Sequence, residues 1–257
     1  MKIVPVILAG GIGFRLWPFS KPDNPKPFTK LPKLQKSLFA STVERLGLLP
    51  DVSNYVVVAN RKYRYLLSNE MRKSGLKGEC ILEPCAKNTL AAVLIAAIFV
   101  QKKYGNDCQI LIFPSDHVIT NNQGLVSAVS ASQQYVKEGK IVTFGIVPDR
   151  VETGYGYIRC NGSKVLSFIE KPNFKLASDL IKEGISLWNS GIFSFKPSVL
   201  LQEARRFCDK TFSTLEDIDF VFDEGAFVID KSRYDELDDI SAVSYTHLRA
   251  HETRSNL

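Results

Sequence analysis

An apolar run that ends in a cluster of glycines constrains the fold of this chain more than any other stretch. Residues 3–8 have the length and composition of a buried β-strand. Because glycine carries no Cβ, the backbone after this strand can turn tightly and point successive N–H groups at an anion. Arg15 and Lys26 place positive charge on either side of the turn. These features predict a site for nucleotide phosphates, and its glycines are Gly10, Gly11 and Gly13.

Better-known glycine-rich phosphate sites have a different spacing. No Gly-Lys-Ser or Gly-Lys-Thr follows the glycines, which excludes a P-loop, and G-x-G-x-x-G spacing is absent too. Taken alone, the glycines fit a tight turn after a strand equally well. The phosphate interpretation therefore depends on the cations beside them.

Apolar runs of strand length alternate with helical segments through the first 148 residues. This β-α-β-α order predicts an α/β fold with a Rossmann-like, doubly wound, mixed, mostly parallel sheet and helices on both faces. The predicted strands are residues 3–8, 55–59, 80–82, 110–113 and 141–147. The predicted helices are residues 37–49, 62–73, 88–103 and 126–137.

The pattern changes after residue 148. Strands at 155–159 and 165–169 are joined through Asn161-Gly162, which is a strong hairpin signal. A helix, a strand and a second helix follow at 174–182, 187–195 and 197–207. We expect one domain, residues 1–241, in two lobes, with the nucleotide bound by residues 1–148 and the second substrate covered by residues 149–241.

The charge of the chain is unevenly distributed. The net charge is +6, but residues 216–239 carry ten acids against two bases, so the remainder of the chain carries +14. Nucleic acid is one partner that such a basic body suits. Phosphorylated small molecules are favoured instead, because the lysines and Arg15 cluster near the glycine turn. The acidic stretch is interpreted as a solvated face.

Cysteine usage and hydropathy argue against an extracellular or membrane protein. Five cysteines without any C-x-x-C spacing predict reduced thiols and a cytoplasmic location. The longest all-apolar run, residues 90–100, is shorter than the roughly 18 residues of a membrane span and predicts a buried helix instead.

Asp116 stands where an open α/β sheet binds its ligand. The segment Pro114-Ser115-Asp116-His117 directly follows a predicted strand, and residues at such carboxyl ends face the ligand crevice. A carboxylate there suits Mg²⁺ that also contacts nucleotide phosphates. The alternative is an aspartate that caps a helix or closes a turn.

The string from Leu8 to Pro18, with Lys26 after it, resembles the signature of the sugar-1-phosphate nucleotidyltransferases. Leu16-Trp17-Pro18 is similar to the mannose-1-phosphate guanylyltransferase branch of that family. The resemblance covers residues 3–241, although Phe14, Pro27 and Lys87 stand where the family has Thr, Gln and Arg. Five motifs fall in the family's order, at residues 8–18, 83–89, 114–117, 152–157 and 188–191.

The resemblance implies a sheet of the nucleotide-diphospho-sugar transferase type and a set of site residues. The implied catalytic residues are Arg15, Lys26 and Asp116, with Asp116 also as the metal ligand. The implied nucleotide-binding residues are Leu8, Ala9, Gly10, Gly11, Gly13, Glu83, Asn88 and Ser115. The implied sugar-phosphate residues are Glu152, Gly156, Glu170, Lys171 and Asn189.

Several of these side chains also have a plain structural interpretation. Glu83 can accept from the N1–H and amino groups of guanine, but the spacing does not require it. Asn88 can serve as a helix cap, Lys171 as a solvated strand end, and Asn189 as a side chain that satisfies the backbone at a bulge.

The implied reaction is attack by mannose 1-phosphate on the α-phosphorus of GTP, which gives GDP-mannose and pyrophosphate with Mg²⁺ as cofactor. The attacking phosphate is already an anion, so positioning and charge neutralisation suffice. Two alternatives stay open: dTTP or UTP with glucose 1-phosphate, and a non-catalytic homologue that only binds. No nucleic-acid or membrane partner is expected, and a homodimer is left open.

The last residues, 242–257, resemble nothing in the family and are typical of a translated cloning or sequencing adapter. His247 and His251 have helical i,i+4 spacing but no third metal ligand. The family's second metal-binding aspartate, in a Gly-Trp-x-Asp-x-Gly segment, has no counterpart here. We therefore expect this chain to be a poor catalyst or inactive.

Overall fold

The computed structural model describes residues 1–10, 18–32 and 34–237, together with the strand at 252–255. Within these residues eleven strands and eight α-helices occur. The strands are β1 Lys2–Leu8, β2 Tyr55–Asn60, β3 Gly78–Glu83, β4 Cys108–Pro114, β5 Val142–Ile146, β6 Tyr157–Asn161, β7 Lys164–Ile169, β8 Ser186–Phe195, β9 Phe220–Asp223, β10 Ala226–Ile229 and β11 Glu252–Ser255. The helices are α1 Leu38–Leu46, α2 Arg64–Lys73, α3 Asn88–Tyr104, α4 Asn122–Lys137, α5 Phe174–Lys182, α6 Pro197–Phe207, α7 Asp209–Leu215 and α8 Lys231–Asp235.

All eleven strands form one mixed sheet in the order β5-β11-β7-β6-β8-β4-β1-β2-β3-β10-β9. Its centre is parallel: β1 lies between β2 and β4, with Ile7 opposite Val57 and Phe113. Strand β8 runs antiparallel to β4 and joins the hairpin β6–β7 to this centre. This architecture confirms the predicted α/β fold.

Helices cover both faces of the sheet because the strand residues alternate between two apolar cores. Val4 and Val6 of β1 contribute to the core under α3, α6 and α7, whereas Ile3 and Ile7 contribute to the core under α1, α2 and α4. Helix α3 is buried along residues 90–100, as its apolar sequence predicted. No helix among the described residues is both long enough and apolar enough to cross a bilayer.

The hairpin at Asn161-Gly162 is confirmed, and Gly162 adopts the left-handed backbone that its turn requires (φ 58°). The five cysteines are free thiols. Helices α7 and α8 and strands β9, β10 and β11 were not predicted. The first four lie in or near the acidic stretch, where charge obscured the apolar positions, and β11 lies within residues 242–257, which were interpreted as an adapter.

The acidic stretch is therefore not only a solvated face. Strand β10 pairs in parallel with β3, and β9 pairs with β10 at the edge of the sheet. Ala226, Ile229 and Tyr234 are buried. Residues 220–237 thus pack beside the strands of residues 1–148, which is relevant to the site below. The division into lobes at residue 148 stays a prediction.

Candidate active site

The carboxyl ends of the parallel strands surround a cavity of about 390 Å³. Strands β1 to β4 end at the same edge of the sheet, so Leu8, Asn60, Glu83 and Pro114 meet there. Crevices at this edge are where open α/β sheets bind ligands. The remainder of the wall comes from the start of α3 and from β8. Eight of the predicted site residues line the cavity: Leu8, Gly10, Lys26, Glu83, Asn88, Ser115, Asp116 and Asn189.

Ser115 ties the end of β4 to the end of β1. Its backbone N–H donates to the Leu8 carbonyl at 3.1 Å, and its hydroxyl donates to the same oxygen at 2.7 Å. Ala9 is fully buried, and its N–H donates to the Val58 carbonyl. Ser115 and Ala9 thereby fix the backbone around the cavity.

Lys26 and Asp116 form an ion pair at the cavity wall. The Lys26 Nζ atom donates to Asp116 Oδ2 at 2.7 Å, and both side chains are about 30% exposed. Lys26 is held in place by the buried residues after it, since the Phe28 ring packs 5.9 Å from that of Phe39 and 6.5 Å from that of Tyr63. The pair places a cation and a carboxylate in contact with solvent, where phosphates can reach both.

His117 lies beside this pair but does not supply a proton at neutral pH. Its Nε2 atom is 3.9 Å from Asp116 Oδ1. Burial, opposed by Asp116 and reinforced by the positive charges of Lys26 and Arg45, lowers the pKa of His117 below its usual value. The imidazole is therefore neutral.

The donor set around Asp116 fits Mg²⁺ only when substrate phosphates complete the coordination. In the part of the chain that the structure describes, no group of three or more His, Cys, Asp or Glu side chains could hold a metal by itself. Mg²⁺ is commonly bound by one or two carboxylates together with phosphate oxygens and water. Asp116 meets that requirement as a single carboxylate.

Glu83 is a second carboxylate on the cavity wall, and unlike Asp116 it is buried. Its side chain is 5% exposed, and its Oε1 atom accepts a hydrogen bond from the hydroxyl of Tyr234, which is fully buried. A Cβ on Gly10 would lie 3.2 Å from Oε2, so a glycine lets the β1 loop pass close to this carboxylate. Burial raises the pKa of Glu83 to about 7, although the hydrogen bond from Tyr234 opposes that rise.

The loop after Glu83 is held by the same C-terminal segment. The Cys85 thiol donates to Asp235 Oδ1 at 3.3 Å. The Lys87 ammonium donates to the carbonyls of Asp235 and Leu237 at 2.8 and 2.7 Å. Residues 234–237 therefore hold residues 83–87 in place through hydrogen bonds. Tyr234 was not predicted as a site residue, because no local sequence signal connects it to Glu83.

Asn88 begins α3 with a left-handed backbone (φ 60°). Its Oδ1 atom accepts from the backbone N–H of the next residue, Thr89, at 3.0 Å. The residue before the helix is Lys87, and among the described residues no side chain makes the N-terminal cap hydrogen bond, so the capping interpretation of Asn88 is wrong. Asn88 lines the cavity instead.

Four of the five predicted sugar-phosphate residues lie outside the cavity wall: Glu152, Gly156, Glu170 and Lys171. A Cβ on Gly156 would lie 2.8 Å from Glu170 Oε2, so Gly156 and Glu170 are close neighbours, and Lys171 pairs with Glu170 at 3.0 Å. The Glu152 carbonyl accepts from the Tyr157 hydroxyl at 2.9 Å. The structure thus brings these four predicted residues to one side of the site.

Asn189 connects this cluster to the cavity. Its backbone N–H donates to the Gly156 carbonyl at 2.8 Å, and its side chain lines the cavity. The Oδ1 atom accepts from the Gly191 N–H at 3.0 Å, which is the backbone role considered above. The side-chain amide N–H₂ is then the part of Asn189 that can donate to a ligand.

Three predicted site residues, Gly11, Gly13 and Arg15, lie outside the described residues, as do Phe14 and Trp17.

A mixed sheet with a crevice of this kind, lined by two lysines and two carboxylates, is typical of a class of nucleotide-binding transferases. The sequence profile of the nucleotidyl transferase family matches residues 4–219, and the chain belongs to that family. This confirms the resemblance inferred from the motifs.

Individual relatives and solved structures show which members of the family this chain is similar to. The chain is 37% identical to mannose-1-phosphate guanylyltransferase RfbM of Salmonella typhimurium, over 86% of this chain and 49% of that protein. It spans about half the length of the curated relatives it matches. The chain superposes over its whole length on a protein named mannose-1-phosphate geranyltransferase from Thermus thermophilus, covering 74% of it at 30% identity with a TM-score of 0.83. It also superposes over its whole length on one named mannose-6-phosphate isomerase from Helicobacter pylori, covering 98% of it at 25% identity with the same TM-score.

Proposed function

We propose that this site transfers GMP from GTP to mannose 1-phosphate, forming GDP-mannose and releasing pyrophosphate. The observation that carries the proposal is the Lys26–Asp116 pair in a cavity at the carboxyl edge of the parallel strands. The choice of GTP and mannose 1-phosphate is supported by the names of the curated relatives.

The proposed reaction needs no general base. A phosphate oxygen of mannose 1-phosphate attacks the α-phosphorus of GTP in line, and the bond to the β-phosphate bridging oxygen breaks. Because the nucleophile is already an anion, no side chain has to remove a proton, which agrees with a neutral His117. Lys26 neutralises charge that develops on the reacting phosphates.

Mg²⁺ would be held by Asp116 together with the phosphates, and when bound it supplies charge neutralisation at the α-phosphate. Asp116 accepts from Lys26 in the structure, and the proposed role of Lys26 requires its ammonium to exchange this carboxylate for the phosphates. Arg15 and the N–H groups of Gly10, Gly11 and Gly13 are proposed to hold the triphosphate.

The remaining residues bind and orient the substrates. Leu8, Ala9, Asn88 and Ser115 shape the nucleotide side, and Glu83 accepts from the donors of the guanine edge. Glu152, Gly156, Glu170, Lys171 and Asn189 are proposed to bind the sugar phosphate. A cytoplasmic location and the lobes at 1–148 and 149–241 belong to the same proposal, as does the assignment of residues 242–257 to an adapter.

A substrate panel tests the proposal. GTP, ATP, dTTP and UTP are each combined with mannose 1-phosphate or glucose 1-phosphate, and pyrophosphate release is measured with and without Mg²⁺. We expect slow release, as for a poor catalyst, and only with GTP and mannose 1-phosphate. Release with dTTP or UTP and glucose 1-phosphate would contradict it. Calorimetric binding of GTP and of GDP-mannose, measured in parallel, identifies a homologue that binds without turnover.

A further inference from the structure

Tyr234 is a buried group of the site that the proposed reaction does not use. It comes from α8, 151 residues after Glu83, and is fully buried, yet its hydroxyl is directed at a carboxylate on the cavity wall. A phenylalanine would fill the same apolar space. The hydroxyl is therefore explained by the carboxylate it contacts.

The two carboxylate oxygens of Glu83 have different surroundings. Oε1 accepts from Tyr234, and Oε2 lies on the side of Gly10, which lines the cavity. Each carboxylate oxygen has two lone pairs, so Oε1 keeps an acceptor site after it has bound the phenol. A guanine presents two adjacent N–H donors to such a pair of oxygens. An adenine presents a ring acceptor where guanine has N1–H.

We propose that Tyr234 is a positioning residue for base recognition: by donating to Glu83 it favours the ionised carboxylate and holds it facing the cavity, so that the site selects guanine over adenine. This inference rests on the proposed function, in which Glu83 reads the base.

Burial alone would favour the protonated acid, which could donate to adenine N1 and would no longer accept from guanine N1–H. Burial does raise the pKa of Glu83, and the hydrogen bond from Tyr234 is what lowers it. Among the described residues, the other titratable group interacting with Glu83 is Cys85, and Lys87 and Asp235 lie beyond that thiol. A hydrogen bond from a neutral phenol stabilises the carboxylate and leaves its negative charge in place. A lysine would neutralise that charge.

The test compares Tyr234→Phe with the parent chain by calorimetric titration with GTP and with ATP across pH 6 to 9. We expect GTP binding near pH 7.5 to weaken by about 10-fold, the effect of losing a hydrogen bond to a charged group. ATP binding should strengthen, because a larger fraction of Glu83 is then protonated and can donate to adenine N1, and the pH midpoint of GTP binding should move upward. Tyr55→Phe is the matched control, because Tyr55 begins β2 at the end of the strand away from the cavity.

Other outcomes would overturn the inference. If GTP and ATP weaken equally and the pH midpoint stays, Tyr234 is only structural. If Tyr234→Phe fails to fold, Glu83→Gln decides: it keeps an acceptor for Tyr234 but presents an uncharged amide, so it should lose both the preference for GTP and the pH dependence. Retention of either would refute the inference. A parent chain with no preference for GTP would instead contradict the proposed function.

Discussion

Asp116 and Glu83 are two carboxylates on one cavity, and the fold treats them in opposite ways. Asp116 follows β4, remains about one-third exposed and meets the cation of Lys26. Glu83 ends β3, is almost fully buried and meets the neutral hydroxyl of Tyr234. The first arrangement suits phosphates and a metal ion, because its charges exchange easily with incoming charges. The second suits a base, because a buried acceptor selects for donors and binds them without competition from water.

The largest expected effect comes from removing the cation of the exposed pair. Lys26→Ala should lower kcat by about 10²–10³, because a cation aimed at developing charge is worth that much in rate. The affinity for GTP should change far less. The apparent affinity for Mg²⁺ should rise, since Asp116 loses its competing partner. Steady-state kinetics with a Mg²⁺ titration measure all three quantities.

Lys30→Ala is the control, because Lys30 is an exposed lysine four residues further along. It should leave kcat unchanged. An equal kcat in Lys26→Ala and the parent would remove Lys26 from the mechanism.

The second effect concerns stability and the buried carboxylate. Because the pKa of Glu83 is raised from 4.5 to about 7 in the folded protein, the folded state retains a proton that the unfolded chain loses between those values. Stability therefore falls as the pH rises from 4.5 to 7, by roughly 3 kcal/mol in total. The glutamine of Glu83→Gln does not titrate. The free energy of unfolding of the variant, relative to that of the parent, should therefore rise by that amount from pH 4.5 to pH 8.

Urea unfolding of both proteins at the two pH values measures this difference. Glu138→Gln, at the exposed end of α4, serves as the control and should follow the parent. A constant difference between Glu83→Gln and the parent would mean that Glu83 does not gain a proton on folding.

The third effect concerns the carboxylate of the exposed pair. Asp116→Asn keeps the shape but loses the charge, so turnover should fall by about 10-fold or more, which is part of the several kcal/mol that a catalytic metal contributes. The Mg²⁺ concentration for half-maximal rate should rise in parallel. Asp149→Asn, an exposed aspartate, should change neither. An unchanged Mg²⁺ titration for Asp116→Asn would show that the metal is held elsewhere.

The smallest effect is expected at Asn189, which hydrogen-bonds to neither Asp116 nor Glu83 in the structure. Asn189→Ala should raise the KM for mannose 1-phosphate by about 2-fold to 10-fold, the cost of one hydrogen bond to a neutral hydroxyl. The KM for GTP should hardly change, and Asn161→Ala in the β6–β7 hairpin is the matched control. A change confined to GTP would place Asn189 at the base instead.

The parts of the site that follow a strand could be predicted from the sequence. Leu8, Glu83 and Asp116 each stand at the end of an apolar run, and parallel strands bring such ends to one edge. The partners of these residues could not be predicted. Tyr234 reaches Glu83 only because β10 pairs with β3, and pairing between strands so distant in sequence leaves no local pattern.

The same reasoning applies to the fold. Elements with a strong local signal were predicted correctly, such as α3 from its continuous apolar run and the β6–β7 hairpin from its Asn161-Gly162 turn. Strands β9 and β10 have four residues each, and half-buried side chains next to acids do not produce a clear alternation.

The return of β10 and α8 to β3 also sets when the site can form during synthesis. Residue 234 leaves the ribosome 151 residues after Glu83, which is roughly 8–30 s at ordinary translation rates. Until then the nascent sheet has an unpaired β3 edge, and Glu83 has no phenol to donate to it. The cavity wall that Glu83 and Tyr234 form is therefore completed late in translation, long after the glycines and Asp116 have emerged. Under the proposed function, a nascent chain cannot select its nucleotide before Tyr234 has been added.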